Sequence, residues 1–218
     1  MNTDVLNKIK QSKAKVVIFD IDGTLKDLCT EHSMALQITL DEYNVGRVRQ
    51  DIILALNDIA MVMIKTGFFP TNHAKQNLLV WMFAVLSGKN IKAFQKEYFK
   101  NYTHQLCLFN GVYQLLNFLK SRVLVYFSTV NRQNYNLEDC GITQDRIMYT
   151  LGKSKKATYK KLLDNLKVDK KEIIIVGDNI FDDLLSAKAL GVKCLLINNY
   201  NSRLKGIICK VVNDKQLE

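Results

Sequence analysis

The chain has 218 residues, 48% hydrophobic and 24% charged, with one proline and no low-complexity tract; this excludes disorder and two large independent domains but allows a core with a modest insertion. No stretch approaches the ~20 apolar residues of a bilayer span, and the lysine-rich Met1–Lys15 lacks the features of a secretory signal or transit peptide, so a soluble, cytoplasmic protein without membrane attachment is expected. The formal charge of +10 favours an anionic partner, and five cysteines without a CxxC pair argue against a disulfide framework or zinc site.

In chain order, Lys15–Asp20 is a β-branched and aromatic run without polar alternation, which predicts a parallel strand buried on both faces. From Leu28 to Leu106 the pattern turns helical, with candidate helices over Glu31–Tyr43, Val48–Lys65, Asn72–Leu86 and Ile91–Gln105 and a break at Gly67–Pro70. Phe68, Phe69 and Trp81 read as core of this helical unit in preference to substrate contacts, and His32, His73 and His104 as packing or surface residues. Val112, Leu115, Leu116 and Leu119 then repeat at helical spacing. Further strands are predicted over Arg122–Phe127, Glu172–Gly177 and Val192–Ile197, with an edge strand over Gly206–Val212. Strand and helix alternate outside the insertion. The expected class is therefore α/β, a parallel sheet between helices formed by residues 1–27 and 107–218, with an all-helical unit at 28–106.

Ligands of open parallel sheets gather beyond the carboxyl ends of the strands. There the sequence sets Asp20 and Asp22, then Ser128 and Thr129, then Asp178, Asp182 and Asp183, with Lys153 heading another predicted helix. Singly, each is explained as a cap, a turn residue or a solvated lysine. Together they bring at least three carboxylates to one end of one sheet, which is costly unless a cation compensates them. An oxygen-only donor set of this kind suits magnesium, whose shell a phosphate oxygen commonly completes.

The strand followed by Asp20-Ile-Asp22-Gly23-Thr24, the later Gly177-Asp178-Asn-Ile-Phe-Asp182-Asp183 and the serine closing a hydrophobic strand at Ser128 resemble the motifs of the haloacid dehalogenase-like superfamily. Thr129 is the alternative to Ser128 by one register. The family's lysine motif is less regular here: Gly152-Lys153-Ser-Lys155-Lys156 has no proline, and counting back from Tyr159 and Leu163 favours Lys153, with Lys155 and Lys156 in competition. The resemblance implies a Rossmann-like three-layer core, with the helical insertion as a cap acting as a lid. It also implies a magnesium-dependent phosphomonoester hydrolase acting on a small phosphorylated metabolite. In that scheme Asp20 is the nucleophile that becomes an aspartyl phosphate, and Asp22 is the general acid and base. Magnesium is held by Asp20, the Asp22 carbonyl and Asp178, with Asp182 or Asp183 as a further or outer ligand. Gly23, Thr24, Ser128, Thr129, Asn131 and Lys153 border the phosphate.

Asp22 disfavours dehalogenation, because a halide leaves without a proton and dehalogenases of the superfamily lack this second aspartate. Phosphomutase chemistry uses the same groups and stays open, as does a catalytically silent binding protein on this fold. A P-loop fails because the position that requires glycine is Ile147. Eight lysines against two acidic residues over Lys153–Lys171 could suggest nucleic-acid binding, but a solvated amphipathic helix explains them, since only Tyr159 interleaves. No motif encodes substrate identity or oligomeric state.

Overall fold

The computed structural model describes residues 3–44, 56, 59, 80–85, 87–102, 107–129, 144–150, 154–197 and 199. The chain divides into two compact units, one of Met1–Asp27 with Leu108–Asn199 and a second that includes Leu28–Cys107. No helix among the described residues is long and apolar enough to cross a membrane.

The first unit is built on five parallel strands: β1 (Val16–Asp20), β2 (Leu124–Thr129), β3 (Ile147–Tyr149), β4 (Ile173–Gly177) and β5 (Lys193–Leu196), in the order β3-β2-β1-β4-β5. Every residue of β1 and β4 is buried, as their unbroken apolar runs require of central strands covered on both faces. Val16 and Ile18 pack with Tyr159, Leu163, Ile173, Ile175, Ala187 and Val192. Phe19, next along β1, stacks on Phe127 with ring centroids 6.2 Å apart.

Because β1 lies at the centre, the strand order runs away from it in both directions, and its carboxyl end is the switch point where open sheets of this kind bind ligands. The register sets Asp20 beside Ser128 and Phe19 beside Val176. The ends of β1, β2 and β4 are thereby neighbours.

Around the sheet lie α1 (Thr3–Ser12), α4 (Val112–Leu119), α5 (Lys155–Asn165) and α6 (Leu185–Leu190), the last preceded by a π-turn over Ile180–Leu184. In α4 the buried residues are Val112, Leu115, Leu116 and Leu119, the predicted stripe. Two elements of this unit escape the sequence pattern. Helix α1 forms where only a polar, lysine-rich lead was read; Val5 and Ile9, four apart, are its two buried hydrophobic residues, too few to stand out. Strand β3 is three residues long and pairs on one side only, to β2, so it carries almost no periodicity. The edge strand expected over Gly206–Val212 lies outside the described residues.

In the second unit α2 (Leu28–Glu42) and α3 (Ile91–Asn101) are described, with residues 80–85 also helical. Asn90 caps α3, its side chain accepting from the N–H groups of Lys92 and Ala93. Ala35, Leu36, Leu40, Val80, Phe83, Ala84, Phe94 and Tyr98 form the core of this unit. Trp81 does not join it and is 49% exposed. Val80, Phe83 and Ala84 share one helical face at i, i+3 and i+4, which turns position 81 outward and corrects its reading as core. His32 is a packing residue: it is buried, stacks on Tyr102 with centroids 4.6 Å apart and bonds the Tyr98 hydroxyl through Nδ1 at 2.5 Å. His73, His104, Phe68, Phe69 and the candidate helix Val48–Lys65 lie outside the described residues, apart from the isolated helical positions 56 and 59. Cys29, Cys107 and Cys194 form no disulfide among the described residues.

Candidate active site

The loop after β1 is closed by its own backbone. The Ile21 carbonyl accepts from the N–H groups of Leu25 at 2.9 Å and Lys26 at 2.8 Å, while Gly23 N–H donates to the Lys26 carbonyl at 3.0 Å. Gly23 has φ +85°, and a Cβ there would lie 2.3 Å from Asp178 Oδ2. Only glycine satisfies both the left-handed backbone and this approach to a carboxylate. The Ile21 N–H donates to the Ser128 carbonyl at 3.1 Å, which ties the loop to β2.

On this frame Asp20, Thr24, Ser128, Thr129, Asp178 and Asp183 are all buried. Thr24 Oγ1 donates to Asp20 Oδ2 at 3.3 Å, and Thr129 Oγ1 donates to Asp22 Oδ2 at 2.7 Å. Asp20, Asp178 and Asp183 can each place a carboxylate oxygen within 4.8 Å of the others. The expected convergence of acidic side chains is therefore present. Asp182, by contrast, is exposed and lies outside the cluster; its N–H is held by the Asn179 side chain at 3.0 Å. The π-turn decides between the adjacent aspartates, turning Asp183 inward.

Among the described residues, Lys155 is the lysine that reaches this cluster, with Nζ 2.7 Å from Asp20 Oδ1 and 3.0 Å from Asp183 Oδ1. The first-choice lysine, Lys153, lies outside the described residues, as does Asn131. Helical geometry explains why Lys155 enters and Lys156 does not: Lys155, Tyr159 and Leu163 recur every four residues and are the buried residues of α5. Lys156, Lys160 and Lys161 are exposed, with Lys160 paired to Asp164 at 2.6 Å.

Asp183 is the hub. Its Oδ1 accepts from Lys155 Nζ and from the Tyr159 hydroxyl at 2.7 Å, and its Oδ2 accepts from the N–H groups of Asp178 at 3.2 Å and Asn179 at 3.1 Å. Gly177 makes room for it, since a Cβ at that position would lie 2.3 Å from Asp183 Cγ. Gly177→Ala is expected to cost about 1–3 kcal/mol of stability by displacing this carboxylate, and chemical denaturation of the purified variant measures the loss.

Burial pushes the Asp20 carboxyl well above the ordinary carboxylate range; Lys155 pulls it down, and Asp183, Asp178 and Asp22 push it up again. Burial disfavours the Lys155 ammonium, but Asp20, Tyr159 and Asp183 outweigh it, so its pKa stands well above the usual lysine value. Lys155 is thus charged, and it offsets part of the negative charge gathered here. Burial also raises the Tyr159 phenol, with Lys155 opposing and Asp183 and Asp20 reinforcing, which keeps the hydroxyl a donor.

These residues fit a small hard dication. The donors are oxygens only, Asp20, Asp178 and Asp183 can bring one oxygen each within 4.8 Å of the others, and the remaining negative charge calls for a positive partner. Ser128 Oγ is buried without a hydrogen-bond partner among the described residues, as suits a hydroxyl that serves an external group. Tyr159 is the site residue that sequence reasoning missed, having used it only to count register. Its signal was present, because Lys155 and Tyr159 stand at i and i+4 on one helix face.

Comparison with known proteins agrees with this architecture. The candidate HAD-hydrolase YfnB from Bacillus subtilis, crystallised bound to magnesium, is similar with a TM-score of 0.61 and 16% identity over 85% of this chain and 87% of that one. A hydrolase from Streptococcus pneumoniae TIGR4 is similar with a TM-score of 0.60 and 19% identity over 88% and 97% of the two chains. The defluorinating L-2-haloacid dehalogenase Rha0230 follows with a TM-score of 0.52 and 17% identity over 85% and 82%. At these identities the likeness is one of fold. A search of curated proteins finds no match. The family model for haloacid dehalogenase-like hydrolases matches residues 17–197, a span that contains both aspartate motifs, Ser128 and Lys155, and the chain belongs to that family.

Proposed function

We propose that this hydrolase is a phosphomonoesterase that uses Asp20 as nucleophile and magnesium as its metal. The observation that carries the reading is the pairing of two carboxylates with separate surroundings. Asp20 is buried and ion-paired to Lys155, whereas Asp22 is half-buried and hydrogen-bonded to Thr129. A phosphate ester needs both groups, one to attack phosphorus and one to move protons. A halide leaving group would give Asp22 nothing to protonate, so dehalogenation is the weaker reading.

Asp20 attacks the phosphorus in line and takes up the phosphoryl group as the leaving oxygen departs. Asp22 gives that oxygen its proton, then removes one from the water that hydrolyses the acyl phosphate. Lys155 and the Ser128 hydroxyl offer positive charge and a hydrogen bond to the phosphoryl oxygens. Magnesium, held by Asp20 and Asp178 with Asp183 bracing the Asp178 loop, would supply the charge that lets an anionic nucleophile approach an anionic phosphate. A small phosphorylated metabolite is the substrate class, and the same groups would serve a phosphomutase.

Hydrolysis of para-nitrophenyl phosphate with and without magnesium tests the reading; no turnover across pH and metals, with chloroacetate processed instead, would overturn it. Binding supplies a second measure. At a hundredfold excess over its Kd, magnesium should stabilise the protein by about 2.7 kcal/mol, a rise of roughly 5–11 °C in Tm. Asp178→Asn should remove most of that rise.

A further inference from the structure

The Tyr159 ring is fully buried among Val16, Ile18, Leu163, Ile173, Ile175, Ala187 and Val192, an apolar setting that phenylalanine would fill as well. A hydroxyl in such a place destabilises the fold unless it is bonded. This one donates to Asp183 Oδ1 at 2.7 Å, the oxygen that also accepts from Lys155. Two backbone N–H groups hold Asp183 at Oδ2, and at Oδ1 a donor on a rigid ring in the core fixes the carboxylate plane more firmly than the flexible ammonium of Lys155 does alone. That plane sets both the direction of Lys155, which Asp183 shares with Asp20, and the position of the Asp178 and Asn179 N–H groups on Oδ2.

We infer that Tyr159 is a positioning residue: through Asp183, its hydroxyl keeps Lys155 aimed at Asp20 and holds the loop that carries Asp178. The kinetic consequence rests on the phosphomonoesterase reading; the structural one does not.

Tyr159→Phe keeps the ring and removes only the donor. Amide hydrogen exchange at Asp178 and Asn179 is expected to accelerate about tenfold, while Ile175 in the neighbouring strand exchanges as in the wild type. With para-nitrophenyl phosphate, kcat is expected to fall about tenfold with KM within twofold. In an Asp183→Ala background, which leaves the hydroxyl no acceptor at that position, Tyr159→Phe should lower kcat no further, because the hydroxyl acts through that carboxylate. Unchanged exchange at Asp178 and Asn179, an equal acceleration at Ile175, an unchanged kcat, or additive losses in the double variant would each overturn the inference. A wild-type protein inactive on phosphate esters would instead remove the phosphomonoesterase reading, and the exchange measurement alone would then decide the role of Tyr159.

Discussion

Asp20→Asn is expected to lower phosphatase turnover by about four to six orders of magnitude, the range seen when a covalent nucleophile is removed. The amide is nearly isosteric with the carboxylate but cannot accept the phosphoryl group. The same change removes a buried charge that desolvation and three neighbouring carboxylates disfavour, while Lys155 keeps Asp183 as a partner. The Tm of the variant, measured without metal, should therefore hold or rise. Loss of turnover with an intact fold identifies chemistry as the defect, and turnover within tenfold of the wild type would place the nucleophile elsewhere.

Lys155→Met should act on both stability and turnover. Removing one partner of a buried ion pair leaves charge uncompensated, at a cost of about 3–5 kcal/mol, or roughly 6–20 °C in Tm for a chain of this size. Lys156→Met, at an exposed neighbouring position, should stay within about 0.5 kcal/mol of the wild type. Lys153→Met separates the two candidates: if it abolishes turnover while Lys155→Met spares it, Lys153 is the functional lysine. The pH dependence has a definite sign. The native pKa of Lys155 exceeds its unfolded value of 10.5, so the pair contributes fully below pH 10.5 and its contribution is lost as pH rises through the native pKa. Alkaline denaturation of the wild type should show this loss, and Lys155→Met should not.

The thiol of Cys194 offers a contrast in the same core. Burial, reinforced by Asp183 and opposed by Lys155, pushes its pKa up to about 12, so it gains no nucleophilic character from the charges nearby.

The sequence by itself determined the parallel sheet, because buried apolar runs that alternate with helical patterns have few other ways to bury themselves, and its resemblance to the family's motifs supplied the candidate nucleophile. Four of the five strands and the stripe of α4 were legible in that pattern, and Asp20, Asp22, Ser128 and Asp178 as the polar residues that close or follow three of the strands. Strand β3 and helix α1 were not, since three residues or two buried side chains carry too little periodicity. The choice between Asp182 and Asp183, and the entry of Lys155, belonged to tertiary structure. Adjacent residues on a helix point about 100° apart, and only the docking of the π-turn and of α5 against the sheet decides which of them turns inward. The hydroxyl of Tyr159 is the extreme case: its meaning depends wholly on a carboxylate 24 residues away, brought to it by the packing of two helices on one face of the sheet.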